Sequence, residues 1–233
     1  MVQKLSRARF WGPVAPALVL PFVAALCYFV WLADAAWARG FYVGIKVFLL
    51  LWPFVVWRLF WRRSWPKVNW RHPRHRRALV GGGLFGLAVS GVAGLLMYTP
   101  LHGWLASGAD AIRGKASALG ILEHYWLFAF FLSLIHSLLE EFFWRWFVYR
   151  ALRERFSPVP ATFLGSAGFA VHHMVILTQF FGPALGIGLG VLVGIGGALW
   201  CMMVERQRTL TGVWLAHMLI DFAVLAIGHS LIT

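Results

Sequence analysis

Seven runs of about twenty apolar residues fill most of the chain, near 13–33, 41–60, 78–99, 122–149, 160–179, 184–204 and 209–229. A helix rises about 1.5 Å per residue, so roughly 20 apolar residues cross the ~30 Å hydrocarbon layer of a bilayer. The pattern therefore predicts an all-α fold, a polytopic transmembrane helix bundle of about seven spans. Glycine and proline are frequent inside the runs, which helices in lipid tolerate. The stretch 100–121 is small and weakly amphipathic and reads as an eighth helix, interfacial or re-entrant. Ser157-Pro158-Val159-Pro160 separates the fourth run from the fifth, because proline cannot continue the helix before it.

Composition agrees with the pattern. Hydrophobic residues make up 61% of the 233 and charged residues 12%, about half the charged share of a soluble domain. The net charge of +13 would suggest nucleic acid in a soluble chain, but no nucleic-acid motif accompanies it. Its distribution is that of a membrane topology. With the N-terminus inside, seventeen of the twenty-one basic residues fall on inner segments, and Arg39, Lys46, Arg113 and Lys115 are left outside. The positive-inside rule then gives an N-in, C-out chain, and the expected location is a prokaryotic-type inner (plasma) membrane. Arg71–Arg77 (RHPRHRR) is suited to anionic lipid head groups.

Lys4, Arg7 and Arg9 before an apolar run resemble a signal peptide, with Ala33–Ala38 mimicking a cleavage site. The run, about 22 residues, is long enough to span, so a retained first helix is expected. Cys27 and Cys201 lie in apolar runs without metal-type spacing and read as small buried hydrophobes.

Three groups of ionisable residues fall at membrane depth, where each is costly unless paired and is a functional candidate by default. Glu140, Glu141 and Arg145 share the fourth run. Glu141 and Arg145 are four apart with the acid first, the favourable order for a helical ion pair, and Glu140 points about 100° away from it. Phe169, His172 and His173 lie on the fifth run. Adjacent helical positions diverge by about 100°, so both histidines are not expected to face one site directly. His217 and Asp221 lie on the last run, four apart and on one face. Counted from the basic ends of their helices, Glu140 and His217 reach similar depth, about 14–15 Å, and His173 lies deeper at about 20 Å. The three groups are expected to meet in one polar cavity in the inner half of the bilayer.

A buried glutamate can serve as general base and histidines can donate to a developing oxyanion. Alternatively, Glu140, His173 and His217 could hold a zinc ion and its water. There is no HExxH, and no serine sits in a nucleophile-elbow context. A non-enzymatic reading, a scaffold or a proton- or ion-coupled transporter using the same groups, also fits the residues.

The ordered set EExxxR (Glu140, Glu141, Arg145), FxxxH (Phe169, His173) and HxxxN/D (His217, Asp221) resembles the CAAX-protease and bacteriocin-processing (CPBP, or Abi) family of intramembrane proteases, which includes the eukaryotic Ras-converting enzyme. The resemblance covers roughly 122–229. It divides the chain into N-terminal helices with a basic inner loop (1–121) and a catalytic core (122–233). It implies an endopeptidase that cuts near the C-terminus of a membrane-associated protein or peptide, entering from the membrane or the inner face. It implies that Glu140 and His173 activate water, that His217 and Asp221 bind or polarise the scissile carbonyl, and that Glu141 and Arg145 hold the site together. The family's eukaryotic-type members have asparagine where this chain has Asp221, so Asp221 must orient His217, be protonated, or help bind a metal. His172 lies outside the family motif.

Overall fold

The computed structural model describes residues 5–32, 37–66 and 69–233. Lys4, Lys67 and residues 33–36 of the alanine-rich stretch lie outside them. Among the described residues all regular structure is helical: α1 (Arg7–Trp31), α2 (Ala38–Val55, continued to Phe60 by a wider π turn), α3 (Pro73–Leu96), α4 (Leu101–Ala106), α5 (Ala109–Ala118), α6 (Leu122–Leu152), α7 (Pro158–Gln207) and α8 (Thr211–Ile232). All but α4 and α5 are long and apolar enough to cross a membrane. With this composition the chain is an integral membrane protein, and large exposed side chains such as Leu84, Leu95, Phe163 and Leu192 suit contact with lipid.

The runs near 160–179 and 184–204 are two antiparallel helical limbs of α7, so the expected number of apolar limbs stands. The chain reverses between them at Gly182 with φ 73° and ψ 169°, a region open essentially to glycine alone. Pro183 starts the second limb. A Cβ on Gly186 would strike the backbone of Thr178, one on Gly190 would strike Met174, and one on Gly194 would crowd Ala170. The limbs therefore lie antiparallel with their backbones nearly touching. Small residues are the usual means of such close approach where lipid removes the hydrophobic drive for helices to associate.

The same device joins α3 to α8, which run parallel. Gly82 meets the backbone of Gly212, Gly86 meets Ala216, and the Ser90 hydroxyl donates to the Leu219 carbonyl at 3.2 Å. α6 and α8 run antiparallel and are tied by polar bonds along their length. Tyr125 Oη donates to the Leu225 carbonyl at 2.8 Å and Trp214 Nε1 to the Leu134 carbonyl at 3.0 Å. The main core gathers at the end where α1 begins and α6 finishes, around Phe10, Val14, Trp57, Phe147, Leu152 and Val213. That end also carries the basic residues. Arg63 makes a two-pronged contact with Glu154 at 2.5 and 2.9 Å, and Glu205 accepts from Arg153 at 3.2 Å and pairs with Arg208 at 3.3 Å.

The stretch 100–121 caps the opposite end instead of threading the bundle. Gly108 abuts Phe180 and Phe181 beside the α7 reversal. The Lys115 ammonium lies 4.6 Å from the Tyr28 ring centre, and Arg113 donates to the Ile232 carbonyl.

Candidate active site

Glu140 and Glu141 sit on a single α-helical turn of α6, Ser137–Glu141, between two π segments, Leu132–His136 and Phe142–Tyr149. A π segment widens the helix and frees carbonyls from the regular ladder, and such bulges recur at functional sites. The Leu134 carbonyl that receives Trp214 lies in the first of them.

The two carboxylates face apart. Glu141 is fully buried and accepts from Arg145 at 3.0 Å. The Arg145 guanidinium, 1% exposed, lies 4.4 Å from the Phe169 ring centre and 4.9 Å from that of Trp200, and reaches the Gly197 carbonyl at 3.4 Å. Glycine at 197 leaves room for it, since a Cβ there would press on the guanidinium and on Phe169. Phe169 is thus the platform on which the arginine and the histidines of the site are packed.

Glu140 lies among imidazoles. His136 Nε2 is 3.3 Å from Oε1 and His172 Nε2 is 3.9 Å from it, while His217 Nε2 is 3.8 Å from Oε2. One ligand atom each from Glu140, His172 and His173 lie within 4.8 Å of one another. The tandem histidines therefore do share one site, against the expectation from their 100° separation. That angle describes where the side chains leave the helix; the rings, 4.1 Å apart between centres, lean together over the same face. Their backbone bonds hold them there, His172 Nδ1 to the Gly168 carbonyl at 3.3 Å and His173 Nδ1 to the Phe169 carbonyl at 2.8 Å. His172 also stacks on Trp144, ring centres 5.6 Å apart and planes 4° from parallel.

His217 is held between carboxylates. Its Nδ1 is 2.8 Å from Glu141 Oε1 and its Nε2 is 3.4 Å from Asp221 Oδ1. Its ring stacks on Trp200 with centres 4.2 Å apart. Asp221 is thus within reach of the imidazole it would orient.

A cavity of about 120 Å³ adjoins Glu140, His136, His172 and His173. Its other walls come from the later part of α1 and the earlier part of α2, among them Pro21, Ala25, Tyr28, Phe41 and Leu49. His217 and Asp221 are not among the lining residues. The expected single cavity is thus corrected: Glu140 is the common member, with the cavity on one side and the His217–Asp221 pair on the other. Two residues of the site were not expected. His136 is one helical turn before Glu140, the same i, i+4 spacing that marks Glu141–Arg145. Lys46, counted with the outer side, lines the cavity, with Nζ 3.5 Å from His136 Nε2.

Fold and site together define a polytopic helical membrane protein built around a buried Glu/His/Arg constellation. Residues 122–223 match the model of the Rce1-like family, the type II CAAX prenyl endopeptidases. The matched stretch takes in every motif residue from Glu140 to Asp221, so residues 122–223 are similar to that family, and the similarity suggests a CAAX-type intramembrane peptidase. No curated protein and no solved structure matches the chain.

Proposed function

We propose that the protein is an intramembrane endopeptidase that hydrolyses a peptide bond near the C-terminus of a membrane-associated protein or peptide. The observation that carries this reading is Glu140 itself. It is a carboxylate enclosed by the Nε2 atoms of His136, His172 and His217 at 3.3–3.9 Å, at the edge of a cavity of about 120 Å³. In this scheme Glu140 takes a proton from a water, whose oxygen attacks the scissile carbonyl carbon. The proton then passes to the departing amine as the C–N bond breaks. His173 positions the water, its Nδ1 occupied by the Phe169 carbonyl and its Nε2 free to accept. At rest both nitrogens of His217 face carboxylates, Glu141 and Asp221; with substrate bound, its Nε2–H turns from Asp221 to the carbonyl oxygen as negative charge develops there, while Glu141 holds Nδ1.

The substrate enters from the membrane or the inner face, and the chemistry takes place in the inner half of the bilayer, where Glu140 and His217 lie nearer the basic ends of α6 and α8 than the opposite ends. The test is cleavage of a co-expressed membrane-anchored substrate by wild type and Glu140→Gln. The variant, inserted and folded normally, is expected to abolish cleavage. Cleavage at the wild-type rate by Glu140→Gln would sink the assignment.

A further inference from the structure

The family motif uses one histidine on the first limb of α7, yet this chain places two side by side on Glu140. A histidine that ligates a metal almost always has its other ring nitrogen tied to a carbonyl or carboxylate, which fixes the tautomer and aims the free lone pair. Both tandem histidines carry this feature. A carbonyl can only accept, so the contacts with Gly168 and Phe169 fix N–H at Nδ1 of His172 and His173 and leave their Nε2 lone pairs free. His172 Nε2 lies 3.9 Å from Glu140 Oε1, so a cation between them would take one lone pair from each.

His217 differs. Both of its nitrogens face carboxylates, Glu141 at 2.8 Å and Asp221 at 3.4 Å, so it serves as a donor on both sides and keeps no lone pair for a cation. His136 Nε2 faces the Lys46 ammonium at 3.5 Å as well as Glu140. The donor set with lone pairs available is therefore Glu140, His172 and His173, not the Glu140, His173 and His217 set that the sequence suggests.

We propose that Glu140 Oε1, His172 Nε2 and His173 Nε2 form a binding site for one divalent transition-metal cation of the zinc class. Two imidazoles and a carboxylate suit zinc, cobalt and nickel, and three protein ligands leave a position open. That position faces the cavity, which Glu140, His172 and His173 all line. Tetrahedral zinc about 2.1 Å from each donor sets the donors roughly 3.4 Å apart. The present separations, all within 4.8 Å, close to that by side-chain adjustment about the cavity. Oε2 remains on the His217 side, so occupancy leaves the second face of Glu140 in place.

The site rests on donor geometry and not on the peptidase reading, and it is tested without cleavage. The full-length protein, purified in detergent and stripped with chelator, is titrated with Zn²⁺ by calorimetry, and bound metal is counted by mass spectrometry. The expected result is one Zn²⁺ per chain, weakened at least about tenfold in His172→Gln and essentially unchanged in His217→Gln, which removes the same number of imidazoles. Co²⁺ gives a second readout: wild type and His217→Gln show the visible absorption of tetrahedral cobalt, and His172→Gln and His173→Gln do not. Equal Zn²⁺ binding by wild type and a His172→Gln/His173→Gln double variant overturns the proposal, as does loss of binding in His217→Gln with retention in His172→Gln. Cleavage read in parallel keeps the two ideas apart. Metal binding without cleavage counts against the peptidase alone, and cleavage without metal binding counts against the cation site alone.

Discussion

His217 Nδ1 and Arg145 share one oxygen of Glu141, at 2.8 and 3.0 Å. A single buried carboxylate thereby joins α8 to the second π segment of α6, and Arg145 extends the link to the second limb of α7 through the Gly197 carbonyl. Removing one member of a buried pair leaves the other charge uncompensated. Arg145→Ala is expected to cost about 3–5 kcal/mol. Glu141→Gln/Arg145→Met, which removes both charges, is expected to recover much of that. Thermal unfolding of the purified variants in detergent reads both; a double variant no more stable than Arg145→Ala refutes the coupling.

The surface pair makes the opposite case. Arg63 and Glu154 contact each other at 2.5 and 2.9 Å, but Glu154 is 32% exposed at the basic end of the bundle. Water and salt screen such pairs, so Glu154→Gln is expected to change stability by no more than about 1 kcal/mol. The same unfolding measurement at low and high salt checks this, and a loss as large as that of Arg145→Ala would contradict it.

Asp221 Oδ1 lies 3.4 Å from His217 Nε2, and the proposed scheme gives it the task of orienting that imidazole. Asparagine can also accept there through its carbonyl oxygen, so Asp221→Asn is expected to keep cleavage within about tenfold of wild type, while Asp221→Ala loses about a hundredfold. The ratio of the two rates on one substrate is the measurement. An Asn variant as damaged as the Ala variant shows that the negative charge of Asp221 matters in itself.

The α7 reversal separates two ways in which glycine is required. Gly182→Ala meets nothing within 4 Å but keeps φ at +73°, and the strained backbone is expected to cost about 1–3 kcal/mol. Gly186→Ala has ordinary helical angles but drives its Cβ into the Thr178 backbone, so the limbs must part and the loss is expected to be larger. Gly188→Ala, with open space around it, is expected to be neutral or slightly stabilising, because alanine favours helix over glycine. Unfolding temperatures should fall from Gly188→Ala to Gly182→Ala to Gly186→Ala.

Much of the site was legible because helical spacing is a strong constraint. Four-residue intervals in the sequence suffice to pair Glu141 with Arg145 and His217 with Asp221, and to turn Glu140 away from its neighbour. The same interval links His136 to Glu140, but a lone histidine in a hydrophobic run carries little signal until its carboxylate is already suspect. Lys46 was hidden for another reason. A charge near the end of an apolar run counts as a flanking residue, and only the packing of α2 against α6 turns it toward the cavity. The tandem histidines show the limit of wheel geometry, which fixes where side chains depart and not where their ends meet. The fold was legible as helices and their number of apolar limbs. The pairing of α3 with α8 was not, because it depends on glycines 130 residues apart that look like any others in a hydrophobic run.

One consequence follows from the way the cavity is walled. On one side stand α6, α7 and α8, cross-linked by the Glu141–Arg145–His217 cluster, the Trp214–Leu134 bond and the glycine seams. On the other stand α1 and α2, which meet the cavity mainly with apolar side chains and are joined to each other by the Trp52 and Trp61 indoles donating to the Pro13 and Arg9 carbonyls. The cavity is thus a seam between a wall held by charge and a wall held by packing, and Lys46, with Nζ 3.5 Å from His136 Nε2, is where the packed wall reaches across to the charged one.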